Sequence, residues 1–181
     1  MKKIKSILLA AEGATVYGEM DSPVGILTII GSPQGLHAIL WDTCVASLEW
    51  QEILSSLQKS DSETIIAQTK KQLTEYFEGK RKTFDLPLKL NGTNFQMQAW
   101  NQLLAIPYGT TISYAEQAEK IANKNKARAV GTANGLNPIS IVIPCHRVIG
   151  SNGCLGGFGG GIEKKAYLLQ LEQAAEKSCR R

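Results

Sequence analysis

The chain sets three polar side chains, Cys145, His146 and Arg147, between two runs of branched apolar residues, Ile141-Val142-Ile143 and Val148-Ile149, with Pro144 at the junction. The apolar flanks read as buried, strand-like segments. Any fold that forms must therefore take a polar island inside, and this costs free energy unless each polar group finds a partner. The residue types say what the island is suited to. A thiol is nucleophilic as the thiolate, and a neighbouring His or Arg favours that form. A small buried cysteine beside a structural histidine would fit the same pattern, so the island alone leaves two readings open.

The chain of 181 residues has room for one large or two small domains, and 43% of it is hydrophobic, which is enough for a proper core. Residues 15–42 alternate apolar and polar positions, punctuated by Ser22-Pro23 and Ser32-Pro33-Gln34-Gly35, and this predicts a β-meander. Helical spacing follows over 45–58 and 62–78. In the second stretch Ile65, Ile66, Thr69, Leu73, Tyr76 and Phe77 form one stripe that stops at Gly79. Phe84–Leu88 reads as a short extended piece, and Asn91-Gly92 marks a boundary between a scaffold domain over 1–90 and a second domain over 91–181.

The second half reads as mainly helical. Thr93-x-x-Gln96 and Ser113-x-x-Glu116 are capping boxes, opening helices to about Ala105 and Ala122. A third helix runs from Lys126 to Asn134 after the turn Asn123-Lys124-Asn125. Two short helices joined by a tight turn suit a helix-turn-helix, and equally a plain helical hairpin. Charge bears on that choice. Residues 1–89 hold ten Lys/Arg against eleven Asp/Glu, whereas residues 90–181 hold ten against five. The basic excess lies in the half that carries the motifs, which suits a polyanionic partner such as DNA.

Other classes are set aside on composition. The four cysteines, Cys44, Cys145, Cys154 and Cys179, form no Cys-x-x-Cys pair, and His37 and His146 are the only histidines, so zinc-finger spacing is absent and no metal is expected. A working thiol implies a reducing compartment. The apolar run Ile7–Ala11 is too short for a signal peptide and ends at Glu12. No stretch approaches the ~20 apolar residues of a membrane span. A soluble cytoplasmic protein is expected.

Five stretches, in order, resemble the O6-alkylguanine-DNA alkyltransferases: Phe95-Gln96-x-x-x-Trp100, Ile106-Pro107-Tyr108-Gly109-x-Thr111-x-Ser113-Tyr114, Ala127-Arg128-Ala129-Val130-Gly131, Asn137-Pro138-x-x-Ile141-Val142-Ile143-Pro144-Cys145-His146-Arg147-Val148, and Leu168-Leu169-x-Leu171-Glu172. The glycine-rich Gly156–Gly161 loop matches too. The resemblance is dense from Thr93 to Glu172 and thinner at Ser22-Pro23-x-Gly25-x-Leu27 and Phe84–Leu88. It implies a ribonuclease-H-like α/β domain with a small sheet, followed by a mainly α, winged-helix-like domain bearing the helix-turn-helix.

The resemblance also implies roles. Cys145 would take the alkyl group from O6-alkylguanine, and from O4-alkylthymine, in double-stranded DNA entered through the minor groove. The thioether so formed has no easy hydrolytic exit, so the protein would be spent after one turnover without any cofactor. His146 would serve as base through a water, oriented by Glu172. Asn137, grouped with the base-binding residues, would brace the active-site turn. Arg128 would fill the gap left by the extruded nucleotide. Tyr114 would crowd the phosphate 3′ to the target, and its hydroxyl would reach guanine N3. Ala127, Ala129 and Gly131 would let their helix approach the groove, at a cost of about 1 kcal/mol for a mid-helix glycine. Phe158 and Gly159 stand where the family often has Tyr and Ser or Ala; Phe keeps stacking but loses a phenolic contact, and Gly159 offers its N–H to O6. The role of Arg147 stays open between local potential and a structural salt bridge. A monomer is expected. The competing readings are a non-catalytic lesion binder of the alkyltransferase-like kind, against which Cys145 argues, and a DNA-independent thiol hydrolase, against which the basic half argues.

Overall fold

The computed structural model describes residues 15–172; the opening residues read above for a leader, and Cys179, lie outside them. The described chain forms two compact units, residues 15–91 with Pro138–Ser140, and residues 92–137 with 141–172.

In the first unit β1 (Val16–Met20), β2 (Leu27–Ser32) and β3 (Gly35–Trp41) form the expected antiparallel meander. Every residue of β2 and β3 is buried, more than alternation suggests, because helices cover both faces. Ile30, Ala38 and Leu40 pack with Trp50 and Leu54 of α2 (Leu48–Ser55), which follows the short α1 (Asp42–Val45). On the other face, Gly18 and Gly31 lie under Ile66 and Ile65 of α3 (Thr64–Phe77). The stripe read on α3 is buried at Ile65, Ile66, Thr69, Leu73 and Tyr76, whereas Phe77 at its end is half-buried.

The helix expected over 45–58 is shorter than its periodicity suggests. Ser55 and Ser56 turn their hydroxyls onto the carbonyls of Glu52 and Ile53, each at 2.6 Å, competing with continuation of the helix. Gln58-Lys59 then become β4, which pairs in parallel with the free edge of β1. Phe84–Leu88 is extended as read, and Leu36 and Lys89 exchange backbone bonds with Pro87 and Leu36 along the outer edge of β3.

The second unit is mainly helical. Both capping boxes form, opening α4 (Asn94–Leu104) and α5 (Tyr114–Ile121). A 3-10 turn at Lys124–Lys126 leads into α6 (Ala127–Gly135), which completes the helix-turn-helix, and α7 (Ile162–Leu171) follows later. Buried polar groups join these helices. Trp100 donates to the Ala133 carbonyl at 2.9 Å. Gln117 and Asn134 exchange amide hydrogen bonds at 2.7 and 3.2 Å, and Gln117 also donates to Ala99. Such a pair is specific because a lone buried amide would be costly. A short parallel pairing of β5 (Ile112–Ser113) with β6 (Val148–Ile149) ties the start of α5 to the end of the polar island.

Of the two flanks expected to be strand-like, only Val148-Ile149 is a strand. Residues 141–143 are buried but bend, and Ile141 has φ +74°. Tertiary closure here overrides the extended preference of β-branched residues.

Candidate active site

The cysteine sits on a turn that is bent hard and braced. A β-branched residue at positive φ stores strain on the order of 1–3 kcal/mol, held only where surrounding contacts insist on it. Ile141 is wholly buried. From there the chain enters a 3-10 turn, Cys145–Arg147, closed by Cys145 N–H to the Ile143 carbonyl at 2.8 Å and Arg147 N–H to the Pro144 carbonyl at 3.0 Å. Asn137 fastens the turn from the end of α6: its amide nitrogen donates to the Ile143 carbonyl at 2.7 Å and lies 3.3 Å from Cys145 Sγ. An amide N–H aimed at sulfur favours the thiolate over the thiol.

Glu172, just past α7, is the hub of the site. Its carboxylate accepts Arg147 Nε at 2.8 Å and Nη2 at 2.9 Å, His146 Nε2 at 2.9 Å and the Gly109 N–H at 3.1 Å. Burial alone would raise its pKa, but the hydrogen bonds and charges of His146 and Arg147 outweigh that and hold it at about 2. Arg147 also donates to the Ile106 carbonyl at 2.6 Å and lies 5.7 Å from the Tyr108 ring centre. Its role, open in the sequence, is thus a buried bidentate salt bridge. The Pro107-Tyr108-Gly109 turn belongs to the same assembly: the Tyr108 hydroxyl donates to the Leu171 carbonyl at 3.2 Å. Gly109, at φ +73°, would push a Cβ to 2.7 Å from the Glu172 carbonyl oxygen, so a side chain there would displace the hub.

This hub fixes the histidine. An ionised carboxylate can only accept, so His146 Nε2 carries the hydrogen and Nδ1 the lone pair. Nδ1 is buried and makes no hydrogen bond among the described residues. Burial lowers the imidazole pKa, opposed by the hydrogen bond and charge of Glu172 and reinforced by Arg147 and Lys165. His146 is therefore neutral near pH 7, with one nitrogen free to take a proton.

The opposite wall of the site is built around Tyr114, the first residue of α5. Burial raises its pKa, and so does the negative charge of Cys145. A Cβ on Gly156 would come within 3.1 Å of the Tyr114 ring, a tight contact, so the glycine lets the loop pass close to the tyrosine. One on Gly131 would meet the ring at 3.6 Å, an ordinary contact. Gly131 thus faces Tyr114, which the sequence reading did not foresee. Leu155 anchors the loop against Ile149 and Leu169, leaving Phe158 and Gly159 half-buried. Arg128 and Ala129 are exposed on α6 and Ala127 partly so, outside the buried cluster. Among the described residues no group of three or more His, Cys, Asp or Glu side chains is placed to hold a metal ion, and no helix is long and apolar enough to cross a membrane.

One residue of the site escaped the sequence reading. Lys165 on α7 is wholly buried, donates to the Val148 carbonyl at 2.6 Å and lies 3.5 Å from the Tyr114 hydroxyl. A signal for it existed. Lys165, Leu168, Leu169 and Glu172 fall at i, i+3, i+4 and i+7, one helical face.

Comparison with known proteins agrees across the chain. Residues 15–90 match the family described as 6-O-methylguanine DNA methyltransferase, ribonuclease-like domain, and residues 94–174 match its DNA binding domain. A methylated-DNA–protein-cysteine methyltransferase of Mycobacterium bovis is 44% identical over 158 residues, 87% of this chain and 92% of that protein. The constitutive enzyme of that name from Bacillus subtilis is 40% identical over 162 residues, 89% of this chain and 97% of its own. The crystal structure of Mycobacterium tuberculosis OGT in complex with DNA superposes with a TM-score of 0.78 at 42% identity, covering 88% of this chain and 93% of that one.

Proposed function

The chain belongs to the 6-O-methylguanine DNA methyltransferase family, and we propose that it repairs double-stranded DNA by moving the alkyl group of O6-alkylguanine onto Cys145, once per molecule. The observation that carries this assignment of roles is the histidine held in a single tautomer. Glu172 takes the hydrogen of Nε2 and leaves a buried lone pair on Nδ1 in the residue next to the nucleophile. His146 accepts the thiol proton, directly or through a water. The Asn137 amide steadies the sulfur as it becomes anionic. The thiolate displaces guanine from the alkyl carbon, and the C–O6 electron pair leaves with the base. Tyr114 protonates guanine N3, making the base a better leaving group. Every side chain in this sequence comes from one chain, in keeping with action as a monomer.

Arg128, exposed near the start of α6, is the residue that takes the place of the extruded nucleotide in the minor groove. Removing it should therefore slow repair of duplex DNA while sparing reaction with free O6-benzylguanine, which needs no extrusion. Rates of Arg128→Ala on the two substrates measure this; equal losses on both would exclude the gap-filling role.

The proposed activity is tested with a duplex carrying one labelled O6-methylguanine. Label should move to the protein and saturate at one equivalent, on the peptide containing Cys145. Binding without transfer would mark a lesion-binding protein instead, and turnover on thioesters or amides without DNA would mark a hydrolase.

A further inference from the structure

Two amide side chains, Gln117 and Asn134, meet across the helix-turn-helix with almost no exposure to water, at 0% and 5%. Their hydrogen bonds form a closed set. The Ala99 carbonyl on α4 can only accept, so the nitrogen of the Gln117 amide faces it, at 3.0 Å. That choice sets the rest. The second Nε2 hydrogen goes to Asn134 Oδ1 at 3.2 Å, and Asn134 Nδ2 donates to Gln117 Oε1 at 2.7 Å. Neither amide can be turned over without setting donor against donor and acceptor against acceptor. The other buried side chains of these two helices are small: Ala118 on α5, and Val130 and Ala133 on α6. Small side chains make shallow ridges, which hold helices weakly against turning. A methionine and a leucine would fill the volume of the two amides and bury more apolar surface. A polar pair in their place is accounted for if the setting of α6 matters to function.

We propose that Gln117 and Asn134 are positioning residues for base extrusion: their amide lock fixes the rotation of α6 about its own axis and so aims Arg128 at the gap in the duplex. The inference rests on the alkyl-transfer reading of the site, in which Arg128 takes the place of the extruded nucleotide.

The geometry of the helix links the two. Arg128 is exposed on α6 and Asn134 is buried on it, six residues on, so the side chains leave the helix on different sides and one rotation moves both. A helix with its side chains has a radius of about 5–6 Å, so a turn of about 20° carries its surface by about 2 Å. A shift of that size breaks the lock, whose longest bond is 3.2 Å, and leaves two amides buried without partners. It also carries Arg128 off its line, and a misplacement of about 1 Å can slow a reaction about a hundredfold. The lock therefore disfavours the rotations that would misdirect the arginine. Its three bonds are made among α4, α5 and α6, and none of them goes to Cys145 or His146. A substrate that needs no extrusion should not feel its loss.

The test compares single-turnover transfer from saturating lesion duplex with the reaction of free O6-benzylguanine. The variants are Gln117→Met/Asn134→Leu, which replaces both amides by apolar side chains of similar volume, Arg128→Ala, and the triple variant. The double variant should keep a thermal midpoint near that of the wild type, because both partners of the pair go together. Its rate with O6-benzylguanine should stay within about twofold, while its duplex rate falls by about tenfold or more. In the Arg128→Ala background the same two substitutions should change the duplex rate by less than about twofold, because the residue that the lock aims has gone. A duplex rate kept at the wild-type level would overturn the proposal in favour of packing alone. So would equal losses on the two substrates, or an undiminished further loss in the Arg128→Ala background. If the double variant fails to fold, Gln117→Asn, which draws the amide back by one methylene, takes its place. The ratio of duplex rate to free-base rate should then fall, and an unchanged ratio would overturn the proposal. A wild type that transfers nothing from either substrate would overturn the alkyl-transfer reading, and the aiming role with it; every other outcome leaves that reading intact.

Discussion

Cys145→Ser should transfer no alkyl group while still binding lesion DNA with nearly unchanged affinity. Serine keeps the shape of the residue, so the turn held by Asn137 and the 3-10 hydrogen bonds should persist. What is lost is a polarisable sulfur that is readily ionised. A free thiol has a pKa of about 8.5, low enough for an imidazole to take its proton, and the Asn137 amide hydrogen-bonds the sulfur. A hydroxyl is not ionised by an imidazole to any comparable degree. Single-turnover transfer from labelled duplex and a gel-shift titration on the same duplex separate the two effects. Label retained on the serine variant, at Cys44 for example, would move the nucleophile elsewhere. Lost binding with lost transfer would show that Cys145 supports the interface as well as the chemistry.

The second large effect is expected at Glu172. Glu172→Gln removes the charge that Arg147 and His146 share, so two penalties fall together. Arg147 is left as an uncompensated buried cation, which costs on the order of 3–5 kcal/mol. His146 loses the partner that fixes its tautomer, and general-base assistance of roughly 10²–10⁴-fold goes with it. In the wild type the Glu172 pKa is lowered from 4.5 in the free group to about 2. Because the folded value is depressed, its contribution to stability is fully present above about pH 4.5 and is lost as pH falls toward about 2. Glu172→Gln should therefore lower the unfolding midpoint strongly at neutral pH and flatten its acid dependence over that interval. Thermal unfolding across acid pH, with single-turnover rates taken at low temperature where the variant is folded, measures both. A variant that keeps the wild-type rate at neutral pH would mean that activation of Cys145 does not need the Glu172 carboxylate.

Local rules made much of this molecule legible. A capping box needs two side chains three residues apart, and both boxes read from the sequence close as written, at Thr93/Gln96 and Ser113/Glu116. The α3 stripe and the β-meander are periodic patterns within one element, and they held. The polar island also declared its own need: three polar groups in an apolar run must be partnered, and they are. What stayed hidden depends on elements far apart in the chain. Gln58-Lys59 becomes a strand only because β1 has a free edge. Ile141 takes a positive φ because packing around the cysteine turn demands it, against its intrinsic preference. Lys165 belongs to a charged Glu163-Lys164-Lys165 run, although its spacing from Leu168 and Leu169 puts it on the inner face. Residue type masked periodicity there. The family resemblance supplied the roles of Glu172 and Tyr114, which no local pattern gives.

Pro138–Ser140 count among the first unit although the chain reaches them from the second. Ile139 forms a bridge with Ile39, and Ile39 N–H donates to the Pro138 carbonyl at 2.9 Å. For anyone shortening or recombining this chain, the seam near residue 91 is therefore not a clean cut. A fragment starting there would carry a three-residue stitch with nothing to sew into, and would bare Ile139, which is fully buried in the whole protein. The loose end would lie one residue before Ile141, where the bend that aims the nucleophile begins. A fragment begun at that seam keeps residues 138–140 but leaves behind Ile39, the strand residue they pair with, so the cut severs a partnership that the linear order of the chain conceals.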